Sequence, residues 1–503
     1  MPATAHRRSL RARIADGDRA VMARIHATHS TALDRAMPAL SKAANHSVLW
    51  FGVAVVLAAS RDKWARRAAL RGLGSVAIAS TATNVAAKRM IRRVRPEAEI
   101  PAARQLSRRL RTTSFPSGHA ASAAAFATGV ALERPLLAVP VGALAAAVGT
   151  SRVVTGVHFP SDVAAGFAVG VAAGTLTLRW WPRRAKAPAG AVRPRREAPA
   201  VPDGAGLVLV MNAASGTSSE ELAGFLAAEL PQAQLIRAGT GSDLPALLHE
   251  AAATASVLGV AGGDGSARLA AGIAADKGVP LLVVPAGTFN HFATDLGVRS
   301  AADAIAALRA GDSVLVDVAD AGDQAFLNTA STGIYVDLVR TREALENRLG
   351  KWPAVLVALV QVLRSSRPID LAVDGRARRV WLLFAGNCRY EPAGAAPSYR
   401  PDLADGQLDI RLVDGQQPLA RTRLILAVLL GTLSRSRVYR TWAADSLRIA
   451  AADGGEVLLS VDGEAVETEP ALTVRKRPAG LLVYRPDGVV AGIDASPDKG
   501  QGG

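Results

Sequence analysis

The stretch of the chain from Lys88 to Asp162 contains basic and histidine side chains at spacings that suit phosphate chemistry. In order, it contains Lys88, Arg95-Pro96, Pro116-Ser117-Gly118-His119, Ser151-Arg152, His158 and Asp162. A phosphoryl group in transfer spreads negative charge over its equatorial oxygens, so its catalysis depends on positioning and electrostatic stabilisation. The pattern therefore indicates a site that holds a phosphate dianion and passes it through a covalent intermediate.

Each of these side chains has an expected role. His158 is the stronger candidate nucleophile, because Asp162 could fix its tautomer and stabilise the imidazolium. His119 is then available to protonate the leaving alkoxide. Cations and a helix N-terminus suit the dianion, and the expected phosphate ligands are Lys88, Arg95, Ser117, Gly118 and Arg152. This site is expected to work without a metal or other cofactor.

Lys-x6-Arg-Pro, Pro-Ser-Gly-His and Ser-Arg-x5-His-x3-Asp together resemble the three-part signature of the type 2 phosphatidic acid phosphatase family. The resemblance implies a membrane-embedded, metal-independent phosphatase with a phosphohistidine intermediate on His158, with Asp162 as partner and His119 as acid. The neighbouring basic residues are interpreted instead as interface anchors, the usual use of Arg and Lys beside apolar helices. They are Arg89, Arg92, Arg93 and the cluster at 108–111.

Apolar segments must position these motifs, and they occur at about 38–59, 69–87, 117–132, 135–154 and 161–181. Each approaches the ~20 residues that a spanning helix needs, so an α-helical transmembrane bundle of about five spans is expected over 38–181. Alternating spans place the three motifs on one face of the membrane. The basic runs on the opposite face favour a cytoplasmic position for that face, which predicts a plasma-membrane protein with its phosphatase site outside. The basic segment 88–111 argues for the reverse orientation.

The charge of the chain also points to a membrane. The 503 residues carry a formal net charge of +16, and the basic residues lie in blocks beside apolar segments rather than among aromatic residues. This arrangement favours a membrane surface and no nucleic-acid partner. The single cysteine excludes an internal disulfide. Residues 1–37 are basic and are expected to form either an interfacial helix or a disordered tail.

The second half of the chain has the character of a soluble α/β protein. Residues 182–204 are rich in Pro, Ala and Arg and predict a flexible basic linker. Alternating strand and helix patterns predict an α/β ATP-binding lobe at 205–312. Strand patterns at 313–490 predict an antiparallel β-sandwich lobe, followed by a disordered tail at 491–503.

A glycine-rich turn follows a predicted strand at Gly262 to Gly265. Its glycines permit close approach of phosphates, and Asp264 can face Mg²⁺ or a nucleotide phosphate. A tight turn that serves only packing is the alternative. The turn is accompanied by Asn-Ala-Ala-Ser-Gly at 212–216, Pro-Ala-Gly-Thr-Phe-Asn at 285–290, Asp-Leu-Ala-Asp-Gly at 402–406 and Val-Asp-Gly-Glu at 461–464.

This series resembles the diacylglycerol kinase catalytic-domain family, which includes bacterial lipid kinases and sphingosine kinases, over about 205–490. The resemblance implies that Glu464 is the base that takes the proton of a lipid hydroxyl. A surface hairpin with Asp-Gly turn chemistry is the alternative reading of that segment. The implied ATP-phosphate contacts are Gly262, Gly263, Asp264, Gly265, Ser266, Arg268, Thr288 and Thr240. The implied structural Mg²⁺ site comprises Asp405 and the carbonyls of Asp402 and Gln407.

Four positions depart from that family's usual pattern: Ala213 replaces a proline, Ser266 a threonine, Arg268 a polar amide and Gln407 a more apolar residue.

Taken together, the two sets of motifs predict a bifunctional membrane enzyme acting on lipid phosphates and lipid alcohols, with ATP and Mg²⁺ in the cytoplasmic kinase half only. Two alternatives stay open. The kinase half could be a non-catalytic lipid- or nucleotide-sensing module that regulates the phosphatase, and the membrane half could be a transporter or scaffold.

Overall fold

The protein forms two compact units, Met1–Arg183 and Arg184–Gly503. The computed structural model describes residues 10–28, 30–60, 62–87, 93–96, 113–183, 188–194, 197–212, 219–239, 241–287, 290–349, 354, 357–358, 361–362, 364–392 and 399–486. The described part of the first unit is helical, and the second unit combines a sheet with helices. Each unit has its own hydrophobic core.

The described residues of the first unit form seven α-helices. They are α1 Leu10–Ala27, α2 Thr31–Ala43, α3 Val48–Ala59, α4 Lys63–Thr81, α5 Gly118–Glu133, α6 Pro135–Val154 and α7 Pro160–Leu176. Short helical turns at Asn45–Ser47, Ala82–Ala87 and Thr177–Arg179 adjoin them. Helices α6 and α7 each begin with a proline, whose fixed φ suits the first helical turn. The sequence predicted either an interfacial helix or a disordered tail for the N-terminal segment, and the structure has a helix over 10–27.

Small residues bring α5 and α7 into direct backbone contact. Gly166, Gly170 and Gly174 recur every fourth residue along one face of α7. A Cβ at Gly170 would lie 2.3 Å from the carbonyl oxygen of Ala121, and one at Gly166 would lie 2.4 Å from that of Ser117. Glycine is therefore required where the helices touch, as in small-residue packing within membranes. This contact fixes the start of α5 against the start of α7, where the motif residues lie.

Two described helices, Pro135–Val154 and Pro160–Arg179, are long and apolar enough to cross a membrane, or up to three if the bent pair Asp34–Ala43 and Asn45–Ala59 forms one span. The expectation of about five spans is therefore not met among the described residues. Helix α5 has only 16 residues, and basic residues lower the hydropathy of the first half of α4. The first predicted span is bent by 62° between α2 and α3.

The second unit is built on one mixed sheet. Its strands are β1 Leu207–Asn212, β2 Gln234–Ala238, β3 Val257–Gly262, β4 Leu281–Pro285, β5 Ser313–Ala321, β6 Gln324–Phe326, β7 Thr329–Gly333, β8 Ile369–Val373, β9 Arg376–Asn387, β10 Leu408–Asp414, β11 Tyr439–Ala444, β12 Ser446–Ala451, β13 Val457–Val461, β14 Glu464–Thr468 and β15 Ala471–Tyr484. Its helices are α8 Ser219–Glu229, α9 Leu244–Thr254, α10 Asp264–Lys277, α11 His291–Leu296, α12 Ala301–Ala310, α13 Ile334–Leu349 and α14 Ala420–Leu429, with a 3-10 turn at Leu433–Arg435.

The sheet has a parallel part and an antiparallel part. Strands β2, β1, β3 and β4 pair in parallel in that order, whereas the later strands pair antiparallel. The sequence predicted a separate sandwich, but the long strand β15 joins both parts. It pairs with β5 along most of its length, with β12 at one end and with β4 at the other.

Part of the segment predicted as a flexible linker packs on this second unit. The side chains of Ala189, Ala198 and Val201 are buried in its core. The N–H of Gly190 donates to the carbonyl of Pro401 at 2.8 Å, and the N–H of Val201 donates to the carbonyl of Leu308 at 3.0 Å. Small apolar residues between the arginines allow this packing. The Pro- and Arg-rich composition alone does not predict it.

Candidate active sites

His158 lies in the turn between α6 and α7 and is buried. Its Nδ1 is 2.7 Å from the carbonyl oxygen of Ser114. A carbonyl can only accept, so Nδ1 carries the proton and Nε2 keeps its lone pair. Burial lowers the pKa of His158, and the cations of Arg95 and Arg152 act in the same direction. The neutral imidazole is therefore set up as a nucleophile through Nε2.

Asp162 lies close to His158 but has other nearer partners. Its Oδ2 is 3.8 Å from His158 Nδ1 and accepts a 2.9 Å hydrogen bond from the N–H of Phe159, which caps α7. Its Oδ1 accepts from Arg93 at 2.7 Å. Its main-chain carbonyl accepts from the N–H of Ser117 at 3.0 Å. Asp162 thus joins three pieces of the predicted site, while the Ser114 carbonyl is the closer partner of the histidine.

Arg93 is not a free interface anchor, contrary to the interpretation from sequence. Its guanidinium donates to Asp162 and to Ser161 Oγ at 2.7 Å each, and to Asp18 Oδ2 at 2.7 Å. Asp18 is buried on α1 and also accepts from Ser161, at 2.9 Å from N–H and 2.6 Å from Oγ. Sequence reasoning missed Asp18, Arg93 and Ser161. Helix α1 contains two acidic residues among its basic ones, Asp16 and Asp18, and nothing in the sequence separates the buried one from the other.

The predicted phosphate ligands of the described chain surround the start of α5. Ser117 is buried and caps α5, accepting from the N–H of Ala120 at 3.4 Å, and Gly118 follows it as the first helical residue. Arg95 donates to the carbonyls of Val157 at 2.9 Å and Thr113 at 3.2 Å. Lys88 lies outside the described residues.

Arg152 and His119 are each held by a residue of the α2–α3 region. Arg152 is buried and donates to the hydroxyl of Ser41, while its Nε has no hydrogen-bond partner among the described residues. A buried unpaired donor is costly, and a phosphate oxygen would satisfy it. His119 Nε2 lies 3.0 Å from Asn45 Oδ1. The structure therefore gathers a helix N-terminus, cationic donors and two histidines, a set suited to an oxyanion.

The kinase-like motifs of the second unit also meet in space. Gly262 ends β3, and α10 begins at Asp264. The glycine turns lie against each other, because a Cβ on Gly287 would be 2.5 Å from the Cα of Gly263. Asn212 donates to Ser266 Oγ at 2.9 Å, which links the first motif to the second. Thr240, Thr288 and Ala213 lie outside the described residues.

Glu464 projects over this glycine turn from the start of β14. A Cβ on Gly265 would be 2.5 Å from Glu464 Oε1. The Glu464 side chain is 56% exposed and forms a 2.9 Å ion pair with Arg268, which is 6% exposed. Neighbouring Asp462 instead accepts three backbone N–H groups, from Leu327 to Thr329, at 2.7 to 2.9 Å. Glu464, rather than Asp462, is therefore the carboxylate available to a substrate.

The three residues predicted to hold a structural metal, Asp402, Asp405 and Gln407, have hydrogen-bond partners within the protein. Asp402 accepts from the N–H of Ala404 at 2.9 Å, and Asp405 accepts from the N–H groups of Arg389 and Gln407 at 2.8 and 2.9 Å. The Gln407 carbonyl accepts from the ammonium of Lys476 at 3.0 Å. The ammonium of Lys476 therefore lies beside two of the three residues predicted to hold Mg²⁺, at 3.0 Å from the Gln407 carbonyl and 3.8 Å from Asp405 Oδ1. Asp264, the candidate for the nucleotide-bound ion, accepts from the N–H of Phe292 at 3.2 Å through Oδ1.

Comparisons with known proteins match both units. The PAP2 superfamily model matches residues 68–186, and the diacylglycerol kinase catalytic domain model matches residues 206–321. The decaprenylphosphoryl-5-phosphoribose phosphatase of Mycobacterium tuberculosis is 35% identical over 144 residues, 27% of this chain and 74% of that protein. A probable YegS-like lipid kinase of Pseudomonas fluorescens is 29% identical over 252 residues, 49% of this chain and 83% of that protein.

The chain spans about half of an uncharacterized Synechocystis relative, to which it is 24% identical over 240 residues (45% of this chain and 54% of that protein). A diacylglycerol kinase crystal structure from Bacillus anthracis covers 56% of this chain and 98% of its own, at 19% identity and a TM-score of 0.40. The chain therefore belongs to the PAP2 superfamily through residues 68–186 and carries a diacylglycerol kinase catalytic domain at residues 206–321, the fusion that its motifs predicted.

Proposed function

We propose that this protein is a bifunctional membrane enzyme, a metal-independent lipid phosphate phosphatase joined to an ATP- and Mg²⁺-dependent lipid kinase. The observation that carries the phosphatase half is the buried His158, whose Nδ1 is held by the Ser114 carbonyl so that Nε2 is free to attack. The observation that supports the kinase half is the position of Glu464 over the glycine turn.

The phosphatase reaction has two steps. In the first, His158 Nε2 attacks phosphorus, the ester P–O bond breaks, and the leaving alkoxide takes a proton from His119. Arg95, Arg152 and the N-terminus of α5 stabilise the charge on the phosphoryl oxygens. In the second step, His119 takes a proton from water, which attacks the phosphohistidine. Inorganic phosphate leaves and His158 is neutral again.

The kinase reaction transfers the terminal phosphoryl group of ATP to a lipid hydroxyl. The backbone of Gly262 to Gly265 and the Ser266 hydroxyl bind the phosphates, and Glu464 accepts the proton of the lipid hydroxyl. Mg²⁺ bound with ATP would neutralise its phosphates, with Asp264 as the candidate side chain to hold it. For this to occur, Glu464 must exchange its contact with Arg268 for the substrate hydroxyl.

The substrates are proposed as classes. A lipid phosphate with a bulky polyprenyl chain suits the phosphatase, because the relative with 35% identity is named for a decaprenyl-linked phosphate. A diacylglycerol-like alcohol suits the kinase. Because ATP is cytoplasmic, the kinase is placed in the cytoplasm and the phosphatase on the outer face of the plasma membrane. This arrangement would prevent the two activities from forming a futile cycle.

The first experiment measures phosphate release from a panel of lipid phosphates in detergent with EDTA present. Release by the wild-type protein that is lost in His158→Ala is the expected result and would identify the substrate class. Inhibition of release by EDTA, or unchanged release in His158→Ala, would refute the mechanism. The kinase half is tested by ATP-dependent labelling of lipid alcohols, which Glu464→Gln should abolish.

The proposed orientation has its own test. A cysteine replacing Gln105, in a Cys388→Ser background, should react with a membrane-impermeant maleimide added outside intact cells. Labelling only after the cytoplasmic side is opened would contradict the placement of the phosphatase site.

One observation favours a second candidate for the C-terminal half. The Arg268–Glu464 ion pair occupies the proposed base, and this contact would suit a module that senses nucleotide and regulates the phosphatase. ATP turnover that is lost in Glu464→Gln would exclude this alternative.

A further inference from the structure

A buried lysine lies at the centre of the second unit, where strands β5, β9 and β15 meet the 402–407 loop. The Lys476 side chain is 0% exposed. Its ammonium contacts Asn387 Oδ1 at 2.7 Å, Asp317 Oδ2 at 3.0 Å and Cys388 Sγ at 3.1 Å. It also donates to the Gln407 carbonyl at 3.0 Å and lies 3.8 Å from Asp405 Oδ1.

These contacts resemble a cation site, but their geometry suits an ammonium rather than Mg²⁺. Asp317, Cys388 and Asp405 bring their ligand atoms within 4.8 Å of one another. Mg²⁺ requires oxygen ligands at about 2.0–2.1 Å in octahedral geometry, and it disfavours sulfur. The contacts of Lys476 at 2.7 to 3.1 Å are ordinary N–H hydrogen-bond lengths instead. A divalent ion placed beside this ammonium would also meet like-charge repulsion.

The carboxylates of this cluster hold the surrounding backbone in place. Asp317 Oδ2 also accepts from the N–H of Gly406 at 2.8 Å, and its Oδ1 accepts from the N–H of Ala479 at 2.7 Å. Asp405 accepts from the N–H of Arg389 at 2.8 Å. Without a nearby cation, the buried Asp317 carboxylate would be uncompensated. The positive charge of Lys476 therefore lies against the two carboxylates that hold this part of the backbone.

We infer that the ammonium of Lys476 is the structural cation of this lobe and stands in the place of the divalent ion that the sequence motif implies. The loop from Asp402 to Gln407 then keeps its conformation whatever the Mg²⁺ concentration. The Mg²⁺ requirement of the second unit is limited to the ion bound with ATP. This inference concerns the fold of the lobe and stands whether or not the proposed lipid kinase reaction occurs.

The test uses the full chain in detergent without nucleotide. Cys388 is the one cysteine of the sequence and contacts Lys476, so its rate of reaction with a maleimide measures opening of the cluster. We expect slow labelling of the wild-type protein at the same rate in EDTA and in excess MgCl₂. Lys476→Met should label about tenfold faster or more, because the loss of a buried partner charge destabilises the packed cluster.

Matched variants make this test decisive. Arg475→Met removes a positive charge from the adjacent, exposed position of β15 and should label at the wild-type rate. If Lys476→Met does not fold, the double variant Lys476→Met with Asp317→Asn removes both charges and should fold, still without a response to MgCl₂. Faster maleimide labelling of Cys388 in the wild-type protein when EDTA is added would overturn the inference. Equal labelling of Lys476→Met and wild type would overturn it as well.

Discussion

At the residue scale, the protonation state of His158 governs the proposed phosphatase reaction. Only the neutral imidazole can attack phosphorus, and burial lowers the pKa of His158 below its ordinary value near 6.5. As pH falls, the nucleophile therefore stays neutral below pH 6.5 and is lost only at the lower pKa. We expect the acidic limb of kcat/KM for phosphate release to have its midpoint below 6.5. A midpoint at or above 6.5 would contradict this assignment.

Asp18 is expected to position the reacting groups without touching the substrate. It holds Arg93 and Ser161, and Arg93 in turn holds Asp162. Asp18→Asn should lower kcat by about 10- to 100-fold, the order expected when catalytic groups shift by about 1 Å. KM should change little.

Asp16 provides the control for this prediction, because it lies on the same helix and pairs with exposed Arg19 at 2.5 Å. Asp16→Asn should keep wild-type kinetics. A wild-type kcat in Asp18→Asn, or an equal loss in both variants, would count against the positioning role.

The limits of sequence analysis are visible at this same scale. The motif residues Ser117, Arg152 and His158 could be selected because their spacing is local and their chemistry is specific. Asp18 could not be selected, because its contact with Ser161 spans 143 positions and depends on how α1 packs. Lys476 was missed because it lies in the basic run Arg475 to Arg477, although the alternation of the strand puts it on the same face as buried Leu472 and Val474.

At the scale of elements, the contact between α5 and α7 sets the geometry of the phosphatase site. Gly170→Val would place a Cβ 2.3 Å from the Ala121 carbonyl oxygen and force the helices apart. We expect a lower unfolding temperature in detergent and a kcat reduced by about tenfold or more. Gly142→Val on α6 is the matched control, because a Cβ at Gly142 meets nothing within 4 Å. Similar losses in both variants would show that helix propensity, not the contact, is responsible.

A buried charge cluster joins α4, α5 and the end of α7. Glu133 is buried and pairs with Arg67 at 2.7 Å and with Arg71 at 2.6 Å, and Arg71 also donates to Thr177 Oγ1 at 2.8 Å. Glu133→Gln leaves the buried Arg71 charge uncompensated and should destabilise the unit by about 3–5 kcal/mol. Thermal unfolding in detergent measures the effect. A loss no larger than that of Asp16→Asn would contradict it.

The elements themselves were predictable to different degrees. The parallel strands β1, β3 and β4 were evident as apolar runs followed by small or polar turns, a pattern that the buried parallel sheet requires. The number of membrane spans could not be predicted in the same way, because helices α3 and α5 are short and α4 carries basic residues. Two of those basic residues, Arg67 and Arg71, pair with Glu133, so they are weaker indicators of orientation than their positions in the sequence suggested.

At the scale of the whole molecule, each unit contains the residues of its own proposed reaction. His158, His119 and Arg152 lie in the first unit, and Glu464 with the glycine turn lies in the second. Each unit also has a separate hydrophobic core. Since each set of proposed reacting groups lies within one unit, we expect the two activities to be inactivated independently.

The measurement compares both activities in two variants of the full chain. His158→Ala should lose phosphate release and keep wild-type ATP-dependent lipid labelling, whereas Glu464→Gln should lose labelling and keep phosphate release. Glu464 is 56% exposed, so Glu464→Gln should unfold at the wild-type temperature. His158→Ala removes a buried side chain, so its unfolding temperature is measured beside its two activities. A change of phosphate release in Glu464→Gln, or on addition of ATP to that variant, would show instead that the second unit regulates the first. If each variant loses only its own activity, the chain contains two independent sites. One site removes phosphate from lipids and the other transfers phosphate to them.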